Sequence, residues 1–317
     1  MRILICDQLF PAMMDVLTDL LPQEDLRACP GDRVEAEAPW AEVLIPAMTP
    51  ITAEIIGKAP DLKLIQQFGV GLEGVDLPAA AARGIPVANV PGTQAPVHAE
   101  CTAEGGVFLM MACARHMKAT QQAVGRGQWG RPTGEALIDR NALIIGLGAV
   151  GRALSRRLHA MGMKILAVDL YPPDASAGAP GVSQVVTPDR LNEFLPQADF
   201  VISTVTLTPD TRGSLNRSVF ERMKPTAYLI NISRGPIVNE EDLLDALNGG
   251  CIAGAGLDVL MSEPPSPDHP FLNHERVVLT PHTAGVTQQS FGALGRGVAD
   301  NVLRLKSGRP LKNTVTL

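Results

Sequence analysis

The sequence predicts an α/β protein with two doubly wound parallel-sheet domains, and three observations predict it. A chain of 317 residues exceeds what one hydrophobic core comfortably organises. Short apolar runs alternate with longer helical patterns, the order produced by parallel strands and crossover helices. After Asn89-Val-Pro-Gly92 the texture changes, and a second set of strands follows. Hydrophobic residues make up 45% and charged residues 19%, the mix of a packed protein rather than a disordered one.

The first set opens with Met1-Arg-Ile-Leu-Ile-Cys-Asp7, an apolar run ending in an acid. It reads as a buried strand over 3–6, too short for a signal-peptide core or a transmembrane span. Further strands are expected at 43–46, 62–66 and 86–88, with helices over 12–21 and 52–58. The Ala- and Met-rich, proline-free stretch 99–127 reads as one long helix. Strands of the second set are expected at 142–145, 164–168, 182–186, 200–204, 227–232, 252–259 and 277–280. A helix over 240–247 is signalled by the capping Asn239, by Glu240, Glu241 and Asp242 at its positive end, and by the stop Gly249-Gly250. A last helix is expected over 290–305.

Net charge is −6 and no run of Lys or Arg stands out. Nucleic acids and anionic membranes need a concentrated positive surface, so neither is expected as a partner. Cys6, Cys29, Cys101, Cys113 and Cys251 show no framework spacing and no CxxC pair. They read as reduced thiols of a cytoplasmic protein, and no metal site is expected.

Asn141-Ala-Leu-Ile-Ile-Gly146-Leu-Gly148-Ala-Val-Gly151-Arg combines an apolar strand, a GxGxxG turn and the start of a helix. Gly146 permits the tight turn, Gly148 lets backbone approach a pyrophosphate, and Gly151 lets helix and strand pack closely. The helix start adds free N–H groups and a positive dipole for phosphates. The turn alone is weak, but the next strand ends in Asp169, 18 residues after Gly151. That carboxylate suits ribose hydroxyls and repels a 2′-phosphate, and Leu170 and Tyr171 add no cation. The unit reads as a Rossmann site for NAD rather than NADP, with a methyltransferase glycine loop as the rival.

Three polar residues follow strands, where open parallel sheets put their ligands. Arg234 follows Tyr228-Leu-Ile-Asn-Ile232, Glu263 lies in the Pro-rich loop after Ala255-Gly-Leu-Asp-Val259, and His282 follows Val277-Val-Leu-Thr-Pro281. Reduction of a 2-keto acid needs a guanidinium for the carboxylate, a proton donor for the carbonyl oxygen, and a carboxylate to orient that donor. Arg234, His282 and Glu263 fit those roles. Singly, each has an ordinary alternative as a solvated charge or a structural histidine. Of the other histidines, His98 and His269 stand out; His116, His159 and His274 read as structural or exposed.

Asn231-Ile-Ser-Arg234-Gly-Pro-Ile-Val, Gly256-Leu-Asp258-Val with Glu263-Pro264, and Leu279-Thr-Pro-His282-Thr-Ala-Gly285 resemble the D-isomer-specific 2-hydroxyacid dehydrogenases. The resemblance covers nearly the whole chain. It implies a Rossmann cofactor domain (98–285) inserted into a flavodoxin-like substrate domain (1–97 and 286–317). It implies that Arg234 binds the substrate carboxylate and carbonyl, that Glu263 pairs with His282, and that His282 is the acid/base. Asp258 would hold the nicotinamide amide, while Ala149, Val150, Asp169, Val205, Thr206, Ile232 and Gly285 would line the cofactor. Phe68-Gly-Val-Gly71-Leu-Glu-Gly-Val-Asp76 looks like the family's substrate loop, with the N–H groups of Val70 and Gly71 on the carboxylate.

The segment from Asn89 to Glu104 is longer than is usual in the family. Ile45-Pro-Ala-Met48-Thr-Pro50 lacks the basic residues found there in phosphoglycerate-oxidising relatives, and the chain is short for the regulatory domains some of them append. The expected substrate is therefore a small, unphosphorylated 2-keto or 2-hydroxy acid such as glyoxylate or hydroxypyruvate. The family usually dimerises through the helix matching 99–127, so a homodimer is expected, with Trp129 near the interface. The competing readings are a non-catalytic NAD-sensing protein of the same fold and a formate- or phosphite-type dehydrogenase.

Overall fold

The computed structural model describes residues 1–171 and 179–315. The chain divides into two compact units, Met1–His98 with Thr287–Leu317, and Ala99–Val286.

In the first unit, strands β1 (Arg2–Ile5), β2 (Asp25–Ala28), β3 (Val43–Ile45), β4 (Leu64–Gln66) and β5 (Val87–Ala88) form a parallel sheet. The short strand Thr314–Val315 adds antiparallel to β5, giving the order Thr314–Val315, β5, β4, β3, β1, β2. The strands β3, β4 and β5 are buried at every position, as expected when helices cover both faces of a parallel sheet. Edge strand β2 (Asp-Leu-Arg-Ala) instead alternates exposed and half-buried residues. Its polar composition hides it from an apolar-run reading, and no strand is expected there from sequence. The chain runs from β1 out to β2 and back past β1 to β3, so the order reverses between β1 and β3. Helix Gln288–Lys306 is capped by Thr287, whose hydroxyl accepts the Ser290 N–H, and Asn301 on it ties to β4 through Gln66 Oε1 at 2.7 Å.

In the second unit, strands β6 (Asn141–Ile145), β7 (Lys164–Val168), β8 (Val182–Val186), β9 (Phe200–Ser203), β10 (Tyr228–Asn231), β11 (Gly254–Leu257) and β12 (Val277–Leu279) are all parallel. Their order, β12-β11-β10-β9-β6-β7-β8, puts the switch point between β6 and β9, the doubly wound dinucleotide arrangement. Both units thus have the predicted α/β parallel-sheet architecture.

The stretch expected as one helix over 99–127 is two helices, Pro96–Ala114 and Met117–Gly125. His116 interrupts them with φ of 49° in the left-handed region. Two terminal carbonyls of the first helix are taken up by the N–H groups of His116 (on Cys113) and Glu135 (on Ala114). Neither Gly nor Pro marks this break, so periodicity alone runs through it. Among the described residues, no helix is long and apolar enough to cross a membrane, and no cluster of His, Cys, Asp and Glu is arranged to hold a metal ion.

Candidate active site

In the second unit, the turn after β6 assigns each glycine a different task. Gly146 has φ of 96°, and a Cβ there would meet Val205 Cγ1 at 2.8 Å. A Cβ on Gly151 would stand 2.1 Å from the carbonyl oxygen of Gly146, so helix Ala149–Ala160 lies directly on the turn. Around Gly148 no atom lies within 4 Å of where a Cβ would be, and Gly148 and Ala149 are exposed while Val150 is half-buried. The start of a twelve-residue helix therefore faces open space, where a pyrophosphate finds room, amide donors and the positive end of the dipole.

Asp169 follows β7 and reaches this turn. Its Oδ2 accepts the Leu147 N–H at 2.6 Å and its Oδ1 the Tyr171 N–H at 2.9 Å. An ionised carboxylate has about four acceptor positions, so ribose hydroxyls can still be held. The Thr204 hydroxyl, at the end of β9, donates to the Gly146 carbonyl at 2.5 Å and seats Val205 against the turn. Thr206 is exposed beyond it, its carbonyl accepting the Thr211 hydroxyl at 2.8 Å. Buried Ile232 lies beneath Gly106, where a Cβ would meet its Cδ1 at 2.9 Å.

His282 and Glu263 meet: Nδ1 of the ring lies 2.7 Å from Oε2 of the carboxylate, with both side chains partly buried. The other Glu263 oxygen accepts the Leu260 N–H at 2.7 Å. His282 adopts φ of 54°, uncommon for a non-glycine residue, and its N–H is held by the Asp258 carbonyl at 2.8 Å. The Asp258 carboxylate is buried and takes the Thr280 hydroxyl at 2.6 Å and the amides of Thr283 and Ala284 at 2.8 and 3.0 Å. Asp258, expected at the nicotinamide amide, is thus also the strut of the loop that runs through His282 to half-buried Gly285.

Arg234 follows β10 in a turn shaped by buried Asn231. The Asn231 amide donates to the Arg234 carbonyl at 3.0 Å, and its oxygen accepts the Ser233 N–H at 3.1 Å and the Ser233 hydroxyl at 2.7 Å. The guanidinium Nη1 donates to the Ser233 carbonyl at 2.8 Å. Next to it, a Cβ on Gly235 would fall 1.8 Å from the Leu260 carbonyl oxygen. The Arg234 turn therefore rests on the loop whose amide holds Glu263. Spacing along the chain does not reveal Gly235 or this role of Asp258, because their partners come from after other strands. The Asn231 side chain bonds its near neighbours Ser233 and Arg234, a local turn that the strand-like text of 228–232 hides.

In the first unit, the loop after β4 is tied down around Val70 and Gly71. The Phe68 N–H bonds the Pro46 carbonyl, the Val90 N–H the Gly69 carbonyl, and Asn89 Nδ2 the Val70 carbonyl, at 2.9, 2.8 and 2.7 Å. Among the described residues, no hydrogen bond uses the N–H of Val70 or Gly71, and Val70 is exposed. Val70 and Gly71 thus stand in a loop whose carbonyls are fixed while their two adjacent amides are left over. His98, in this unit, bonds the Ser290 hydroxyl through Nδ1 at 2.7 Å, and His269, in the other, lies 3.2 Å from Glu240.

The model of the D-isomer specific 2-hydroxyacid dehydrogenase family, NAD binding domain, matches residues 107–284. The chain is 34% identical over 306 residues to a D-3-phosphoglycerate dehydrogenase of Archaeoglobus fulgidus, covering 96% of this chain and 55% of that one. The chain thus spans little more than half the length of that relative. It is 36% identical over 281 residues to a glyoxylate reductase of Korarchaeum cryptofilum, covering 86% of this chain and 82% of that one. The crystal structure of the TT0316 protein of Thermus thermophilus superposes with a TM-score of 0.85 and 30% identity over all of both chains. Fold, glycine turn and relatives agree, and the chain belongs to the NAD-binding D-isomer specific 2-hydroxyacid dehydrogenases.

Proposed function

We propose that this protein transfers a hydride between NAD(H) and C2 of a small, unphosphorylated 2-keto or 2-hydroxy acid of the D series. The observation that carries the reading is the 2.7 Å pairing of His282 Nδ1 with Glu263, in the unit that also holds the dinucleotide turn. With Nδ1 on the carboxylate, Nε2 is the ring nitrogen assigned to the substrate. In reduction it gives its proton to the carbonyl oxygen; in oxidation it takes the proton of the hydroxyl. NAD(H), when bound, supplies or accepts the hydride. Arg234 is assigned to the substrate carboxylate and carbonyl through its planar fork. In the unit of two segments, the adjacent amides of Val70 and Gly71 are assigned to a carboxylate. Gly146, Gly148, Ala149, Val150 and Gly151 are assigned to the pyrophosphate, and Asp169 to the ribose. Val205, Thr206, Ile232, Asp258 and Gly285 are assigned to the rest of the cofactor. The unit Ala99–Val286 is then the cofactor domain, and the unit of two segments the substrate domain.

An unphosphorylated substrate is supported by Ile45-Pro-Ala-Met48-Thr-Pro50, which offers no cation to a phosphate. A cytoplasmic setting is supported by the buried cysteines Cys6, Cys29 and Cys113, which form no disulfide. A homodimer is supported by the exposed Phe108, Val124, Trp129 and Ile138 of the second unit, a set of large apolar side chains that water disfavours. The test is NADH oxidation with glyoxylate, hydroxypyruvate, pyruvate and phosphohydroxypyruvate. Turnover is expected with the unphosphorylated acids. No turnover with any of them overturns the reading, and a preference for the phosphate ester overturns the substrate class.

A further inference from the structure

We infer that Glu240, together with His269, positions the carboxylate of Glu263; the inference rests on the reading of Glu263 and His282 as the acid/base pair. Glu240 is the first residue of helix Glu240–Asn248, and its two oxygens reach both ends of the loop that carries Glu263. Oε1 accepts the Met261 N–H at 2.7 Å, and Oε2 lies 3.2 Å from Nε2 of His269. His269 caps helix Pro270–Asn273: its Nδ1 accepts the Phe271 N–H at 3.3 Å. A nitrogen that accepts carries no proton, so the ring proton sits on Nε2 and is donated to Glu240.

The amide before Met261, that of Leu260, donates to Glu263 Oε1 at 2.7 Å. Two consecutive amides are thus divided between two carboxylates. By fixing the Met261 amide, Glu240 fixes the orientation of the Leu260 amide, and hence the place of Glu263. The Glu240 and His269 side chains are 20% and 14% exposed, so this pair is not the freely solvated kind that contributes little. Between the anchors, Pro264, Pro265 and Pro267 limit the backbone's freedom to absorb a displacement. From the other side, Gly235 abuts the Leu260 carbonyl and leaves the turn no room to shift toward Arg234. Without Glu240, the Met261 amide is released and the Glu263–His282 hydrogen bond slackens.

The test compares wild type, Glu240→Ala, Glu240→Gln, Glu263→Ala and the Glu240→Ala/Glu263→Ala pair. Two readouts are used: steady-state keto-acid reduction, and ¹⁵N-edited proton NMR of the His282 Nδ1 proton in histidine-labelled protein. Glu240→Ala is expected to lower kcat by roughly tenfold to hundredfold with the KM for NADH unchanged, the cost of a misplaced group. Glu240→Gln keeps an oxygen for Met261 and loses less. The loss vanishes when Glu263 is already Ala, because the two residues act through one geometry. The His282 Nδ1 proton exchanges faster with water in Glu240→Ala. An equal loss in the Glu263→Ala background, or an unchanged Nδ1 proton, overturns the positioning role. If Glu240→Ala fails to fold, His269→Phe removes the other anchor and carries the same comparison. A wild type that reduces no keto acid overturns the functional reading instead, and the Nδ1 proton still decides the clamp.

Discussion

The Asp258 carbonyl takes the backbone N–H of His282 at 2.8 Å, while its carboxylate takes the two amides that follow, those of Thr283 and Ala284. Left-handed backbone at a non-glycine residue costs on the order of 1–3 kcal/mol, and this set of hydrogen bonds offsets it at His282. Asp258→Ala leaves buried donors without their acceptor. It is expected to destabilise the fold by about 2–3 kcal/mol and to lower turnover. Urea denaturation and steady-state kinetics check both, and unchanged stability would remove Asp258 as a strut.

His282→Ala is expected to reduce keto-acid turnover by roughly 10²–10⁴-fold, the range of a lost general acid. NADH affinity, read by fluorescence titration, should stay close to wild type. Comparable turnover in the variant takes His282 out of the mechanism.

Two glycines of one turn should respond differently to the same methyl group. Gly151→Ala forces a Cβ to within 2.1 Å of the Gly146 carbonyl oxygen, and folded yield and thermal stability should fall steeply. Gly148→Ala meets no atom within 4 Å, so the fold should survive while NADH binding weakens. Equal thermal stability for the two variants would contradict this division of labour.

Asp169→Ala should narrow the preference for NADH over NADPH, since it removes the negative charge opposed to a 2′-phosphate. It also releases the amides of Leu147 and Tyr171, so NADH affinity itself should drop. Kinetics with both nucleotides read the ratio, and an unchanged ratio excludes Asp169 from the choice.

Stability should also depend on His274. Burial first, and then the positive charges of Arg276 and Lys118, hold its imidazole below the ordinary value of 6.5. Its Nδ1 accepts the Arg276 N–H at 3.1 Å, a bond that a proton on Nδ1 would break. The unfolded chain binds this proton more readily than the folded one. The contribution is therefore complete above 6.5 and is lost as pH falls from 6.5 toward the lower folded value. Between about pH 7.5 and about pH 5.5 the urea midpoint of wild type should fall more than that of His274→Gln. Parallel declines would assign the acid sensitivity to other groups.

The parts of this protein legible in its sequence are those whose cause is local. Gly146, Gly148 and Gly151 sit between an apolar strand and a helix, and chain order alone places the turn that they form. Arg234, Glu263 and His282 could be picked out because each follows an apolar strand run. Edge strand β2 was hidden because one exposed edge lets Asp25 and Arg27 replace apolar residues. The break at His116 is hidden because the Ala114 carbonyl that ends the first helix is taken by the distant Glu135 N–H, while the His116 N–H turns back to nearby Cys113. Glu240 and the bracing role of Asp258 depend on partners that only the sheet order brings near.

Gly105 carries no reactive group, yet a methyl there would sit 2.5 Å from Cα of Ala284, two residues after His282. The helix backbone is the mould against which that loop is cast. In a saturation library scored for growth that depends on the proposed activity, position 105 should tolerate as few replacements as position 282. A reader of such a map would mistake a purely steric demand for chemistry unless protein abundance were scored alongside it.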